Sequence, residues 1–152
     1  MEEEKTVLRE CCETIADFIR QDKVLGDSSS VTVVVEDKAV VAQEIAQAIG
    51  RMGVCILIAV TGFERRDQSQ VLQGNLRLQI SCYEQPELNR DDRSALTAQA
   101  ASVRLAQILH YRRFPCFVGQ MVFTDFARDD VDEANIVRGN YFVQTYLGDR
   151  EG

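Results

Sequence analysis

Seven consecutive residues in the middle of the chain, Val54-Cys55-Ile56-Leu57-Ile58-Ala59-Val60, carry no polar side chain. The run is far shorter than the roughly 20 residues that span a bilayer, and no polar position interrupts it at helical spacing. It reads as a strand covered on both faces, the central strand of a sheet, ended by Thr61-Gly62. A second strand pattern follows within residues 71–83. There Leu76, Leu78, Ile80 and Cys82 alternate with Arg77, Gln79, Ser81 and Tyr83, the period of a sheet with one wet face. The two strands are expected to pair as a hairpin across the polar, charged residues 63–70.

The flanking sequence supplies helices and further strands. In residues 5–22, Leu8, Cys12, Ile15 and Ile19 recur at spacings of three and four, one face of an amphipathic helix. Gly26-Asp27-Ser28-Ser29-Ser30 breaks it, and Val31-Thr32-Val33-Val34-Val35 is a β-branched strand. Asp37 is placed to cap a short second helix with Val41, Ile45, Ala48, Ile49 and Met52 on its face, bracketed by Gly50 and Gly53. After Gln85-Pro86-Glu87-Leu88-Asn89, a third helix, the longest, is expected over residues 90–111, with Asn89 as cap and Asp91 and Asp92 in its first turn. Its buried stripe is Ala98, Ala101, Leu105, Ile108 and Leu109, and Arg112, Arg113 and Pro115 end it.

Two strands close the chain, over residues 117–124 and 141–147, the latter with Tyr141, Val143, Thr145 and Leu147 on one face. Residues 125–133 between them are too charged for core and read as an exposed loop or short acidic helix. The expected fold is α/β of the α+β kind: a central mixed, mostly antiparallel sheet of about five strands, with a long helix and two shorter ones packed on it. A length of 152 residues suits one domain, with short flexible tails at 1–4 and 148–152.

Charge and reactive side chains bound the function. With 24 acidic and 17 basic residues the net charge is −7, which repels phosphate backbones and argues against sequence-specific nucleic-acid binding. No apolar run has membrane length, and the start Met1-Glu2-Glu3-Glu4 is the opposite of a basic signal peptide, so a cytoplasmic address is expected. The five cysteines form no CxxC pair and have one histidine, His110, to help them, so no metal is expected. His110 lies beside no nucleophile in sequence and reads as a helix-end residue.

The carboxylate groups Asp91/Asp92 and Asp129/Asp130/Asp132 interleave with arginine as solvated surfaces do, and no glycine-rich loop precedes a helix. The basic pairs Arg65/Arg66 and Arg112/Arg113 lack interleaved aromatics. The chain is therefore expected to be no enzyme, to hold no cofactor, and to act by contact with other proteins. The alternative is a small α/β enzyme or ligand-binding domain with a pocket between the long helix and the sheet, using Cys82, Cys116 or His110.

The element order, the passage from Leu76 through Cys82-Tyr83-Glu84-Gln85-Pro86 and Asn89 to His110, and Gly139 ahead of the last strand resemble the tail-terminator and tail-completion proteins of long-tailed bacteriophages or prophages. The resemblance implies a homo-hexameric ring that caps the tail tube, stops its growth and faces the head connector. The protein would then occupy the bacterial cytoplasm during assembly and the virion tail afterwards. Residues 63–70, with Arg65, Arg66 and Asp67, and residues 125–133, with Asp129, Asp130, Asp132 and Glu133, would meet neighbouring subunits, the tube protein or the connector. The acidic group would also suit a lumen through which DNA slides without sticking. A head–tail joining protein is the nearest variant of this reading.

Overall fold

A computed structural model of the chain describes residues 7–26, 31–35, 53–65, 72–84, 96–129 and 135–146. Its elements are α1 (Val7–Arg20), β1 (Val31–Val35), β2 (Val54–Arg65), β3 (Gln73–Glu84), α2 (Ala98–Leu109), β4 (Val122–Arg128) and β5 (Asn135–Tyr146). The strands form one sheet in the order β1-β2-β3-β5-β4. Only β1 and β2 run parallel; the other neighbours are antiparallel. The expected α+β class and mixed five-stranded sheet are therefore observed. The short helix expected at Val41, Ile45, Ala48, Ile49 and Met52 and both tails lie outside the described residues.

Period-two alternation puts Leu76, Leu78, Ile80 and Cys82 of β3 on one face, all at most 1% exposed. Cys11, Cys12, Ile15, Ala16 and Ile19 of α1 and Ala98, Ala101, Leu105 and Leu109 of α2 join them in a single apolar cluster, so both helices cover the same side of the sheet. Each large aliphatic side chain buried there contributes about 1.5–3 kcal/mol. A small second cluster, Val34 and Cys55 with Leu57 and Tyr83, covers one corner of the opposite face. The first half of β2 is thus buried on both sides, as its unbroken apolar run requires.

Local backbone chemistry fixes the connections. The Asp22 carboxylate accepts the N–H groups of Val24 and Leu25, each at 3.0 Å, and closes the turn after α1. A Cβ on Gly26 would collide with the Arg20 carbonyl, so only glycine fits. Gly53 enters β2 with φ 123°, a conformation that favours glycine.

Several boundaries differ from the sequence reading. The strand at the centre of the sheet is β3; among the described residues β2 has partners on both sides only over its first five residues. Thr61-Gly62 does not end β2 but forms a bulge, after which Phe63 pairs with Leu76 and the strand runs on to Arg65. The extra residue shifts the alternation so that Phe63, rather than Glu64, faces the core. The third helix begins at Ala98, because Thr97 is extended (φ −94°, ψ 162°) and its side chain accepts the Ala100 N–H. Asn89, Asp91 and Asp92 fall outside the described residues. With 12 residues α2 is shorter than the 14-residue α1.

Phe117 is not in a strand. It ends a turn opened by Phe114, and both rings are buried. Residues three apart on a strand would face opposite sides. Strand β4 instead takes in Asp125, Phe126, Ala127 and Arg128, a stretch expected to be loop or helix. Charge excludes those residues from the core, but as an edge strand they remain wet.

Candidate interaction surface

The sheet face away from the helices is polar over β3, β4 and β5. Gln79 Nε2 donates to Asn140 Oδ1 at 3.3 Å, and Asn140 Nδ2 donates to Asp125 Oδ1 at 2.9 Å. The Thr124 hydroxyl lies 3.0 Å from the Asn140 carbonyl oxygen. Further along β5, Arg138 reaches the Asp129 carboxylate at 3.4 Å and the Ser81 hydroxyl at 3.5 Å. A hollow of about 230 Å³ opens on this face beside Thr61, Glu64, Arg77, Thr124 and Phe142.

Part of the β4 edge is covered. Its first part is held by the chain after α2: Tyr111 N–H donates to the Met121 carbonyl at 2.6 Å, and Met121 N–H to the Arg112 carbonyl at 2.9 Å. Tyr111 turns the chain there with φ 67°. His110 Nδ1 accepts the Phe123 N–H at 3.0 Å.

Beyond that point the ladder alternates. Asp129 N–H donates to the Ile136 carbonyl at 2.7 Å. Counting back by twos along an antiparallel pair, Ala127 and Asp125 also direct their backbone groups to β5. Phe126 and Arg128 direct theirs away from β5.

A bulge at Thr124 sets which side chains go with them. Phe123 faces Tyr141 on the core side; the extra residue then turns Asp125 outward onto the polar face and Phe126 back toward the helices. Phe126 is 40% exposed and borders a hollow of about 390 Å³ shared with Ala98, Thr97, Glu84, Arg128 and Val137. Glu84 is buried, and its carboxylate accepts the Ala98 N–H at 2.9 Å, which satisfies a free donor at the start of α2.

The residues singled out from sequence are not gathered into one place. Arg65 ends β2 opposite Gly74, whereas Asp129 pairs with Arg138 near the other end of the sheet. Gly74 and Tyr83 mark those ends on β3, about 30 Å apart at strand rise. Arg66, Asp67, Asp130, Asp132 and Glu133 lie outside the described residues. Of the groups proposed for a reactive pocket, Cys82 is fully buried and burial pushes its thiol up to about 12, partly offset by the Ser102 hydroxyl. Cys116, half-buried, accepts the Cys11 thiol on its carbonyl at 3.7 Å. Neither cysteine nor His110 borders either hollow. Sequence reading included Phe126 and Arg128 only as part of residues 125–133 and assigned no role to Thr97 or Glu84; the available signal was the Phe123, Phe126 pair three residues apart, which matches no strand period unless a bulge intervenes.

Among the described residues no three His, Cys, Asp or Glu side chains are grouped to hold a metal, and no helix is long and apolar enough to cross a membrane. No protein-family model and no curated protein matches the sequence. Solved structures do match the fold. One is a chain described as "Virion of native gene transfer agent (GTA) particle", similar with a TM-score of 0.51 and 11% identity over 91% of this chain and 97% of that one. A second solved chain matches with the same TM-score and identity over 93% of this chain and 98% of its own length.

Proposed function

We propose that the chain is a structural component of a phage-like particle, and that its task there is that of a tail terminator. The observation that carries this reading is the fold shared, over nearly the full length of both chains, with a protein of a gene transfer agent virion. Two features of the molecule support it. The thiols of Cys11 and Cys82 are pushed up by burial and are poor nucleophiles. The sheet face away from the helices is instead polar and offers its side chains for contact.

In this reading copies of the chain form a ring, a hexamer, that caps the tail tube and meets the head connector. The segments containing Arg65, Arg66 and Asp67, and Asp129, Asp130, Asp132 and Glu133, are the surfaces offered to neighbours. The acidic one borders the passage for DNA. The protein assembles in the bacterial cytoplasm and remains in the virion tail.

Size-exclusion chromatography with light scattering, alone and after mixing with purified tail tubes, tests the reading. The expected result is a species of six times the 17.1 kDa subunit mass, free or formed on the tube, and particles at tube ends in electron micrographs. A chain that stays monomeric and never decorates a tube end overturns it.

A further inference from the structure

We propose that Cys11 and Cys116 form an oxidisable thiol pair, a site at which a small peroxide closes a disulfide that ties α1 to the turn between α2 and β4. The chemistry belongs to the chain itself and does not depend on ring formation.

Two contacts bring the pair together. Cys11 and Phe18 are seven residues apart on α1, about two helical turns, and so share one face. Phe18 meets the Phe114 ring edge to face at 5.4 Å, and Cys11 Sγ lies 3.7 Å from the Cys116 carbonyl oxygen. Residues 114–116 therefore run against that face of the helix. The turn is held firmly. Pro115 fixes its own φ, the Phe117 N–H donates to the Phe114 carbonyl at 3.0 Å, and the Phe114 and Phe117 rings are buried. Arg112 places its guanidinium over the Phe18 ring at 4.7 Å. Cys116, inside this turn, is half-buried and packs against the apolar cluster that contains Cys11.

The two thiols divide the reaction. Burial holds the Cys11 thiol above its ordinary range, and the neighbouring Cys116 thiol raises it further, so Cys11 stays protonated and shielded from reagents in solvent. Cys116 is the reachable partner. Its sulfur attacks one peroxide oxygen, the O–O bond breaks, and a sulfenic acid forms with release of water. The Cys11 sulfur then attacks the sulfenic sulfur: the S–S bond forms, the S–O bond breaks, and the hydroxyl leaves with the Cys11 proton as a second water. Two thiols lose two electrons and two protons, and hydrogen peroxide becomes two waters. Fixed proximity offsets the weak nucleophilicity of Cys11.

The remaining cysteines are internal controls. Cys12 projects about 100° further round α1, and Cys55 and Cys82 face opposite sides of the sheet. A bond between residues 105 apart encloses most of the fold and restricts the unfolded chain. Resting on the assembly reading, the bond would set after release, because the cytoplasm keeps thiols reduced and the surroundings of a free particle do not.

The full-length chain is treated with hydrogen peroxide and mapped by mass spectrometry of non-reduced peptides. The expected product is a monomeric link between Cys11 and Cys116, with free thiols falling from five to three and restored by dithiothreitol. The linked chain is expected to melt about 5–10 °C higher than the reduced one. Cys116→Ser, at a half-buried position, is expected to leave its four thiols unlinked while circular dichroism stays unchanged; mapping of the unmodified chain needs no variant. A link through Cys12, a bridge between two chains, Cys116 passing to sulfinic acid while Cys11 remains a thiol, or a linked chain that melts no higher overturns the proposal. A monomer that forms the link keeps this site and loses the ring; a ring whose Cys11 and Cys116 stay thiols under peroxide does the reverse.

Discussion

One carboxylate, that of Asp22, joins the turn after α1 to the second helix. It accepts the Val24 and Leu25 N–H groups and receives the Arg104 guanidinium of α2 at 2.7 and 3.0 Å. The hydrogen bond from Arg104, with those from the turn, outweighs burial and lowers its pKa from the ordinary 3.8. A carboxylate with a depressed folded pKa adds stability above its unfolded pKa, and that stability is lost as pH falls through the folded value. Asp22→Asn is therefore expected to lower the melting temperature at pH 7, with the gap to the parent narrowing below about pH 4; a constant gap across thermal melts from pH 7 to pH 2 contradicts the assignment. The thiols are graded by exposure in the same way. Cys116, half-buried, is expected to react with a thiol reagent before Cys11 and Cys82, as peptide mapping of native labelling would reveal.

Elements were legible where one period ran unbroken. The alternation from Leu76 to Cys82 located β3 and its buried face, and the spacing of Cys12, Ile15 and Ile19 located α1. Legibility failed where one residue interrupts a period. The bulges at Thr61 and Thr124 each reverse the facing of the residues beyond them, so the far end of β2 and most of β4 read as polar connections. The start of α2 was missed because alanine-rich sequence on both sides of Thr97 fits a helix equally well, and the cap depends on one extended backbone conformation. Thr97→Ala is expected to cost about 1 kcal/mol in urea denaturation. Leu105→Ala, in the same helix but with a fully buried side chain, is expected to cost about 2–5 kcal/mol. Similar losses for the two variants would mean that the cap or the packing has been misassigned.

For the molecule as a whole, one apolar cluster draws its buried residues from both helices and from β2, β3 and β5, with β1 and β4 packed against it through half-buried valines and Phe123. A chain sharing one core is expected to unfold in a single transition, with calorimetric and van't Hoff enthalpies in agreement; two separated transitions would divide it into domains. Of the candidate surfaces, the sequence offered only charge: Arg65 and Asp129 are exposed as expected but stand at opposite ends of the sheet. Composition and periodicity by themselves determined the class of fold, the buried face of β3, the face of α1 and the acidic balance, because those depend on side chains counted along one element. The tertiary structure alone decided that β3 is central and that Phe126 and Asp125 point to opposite faces. Those features arise from pairings between residues distant in the chain, and a register or a bulge exists only once two strands have met.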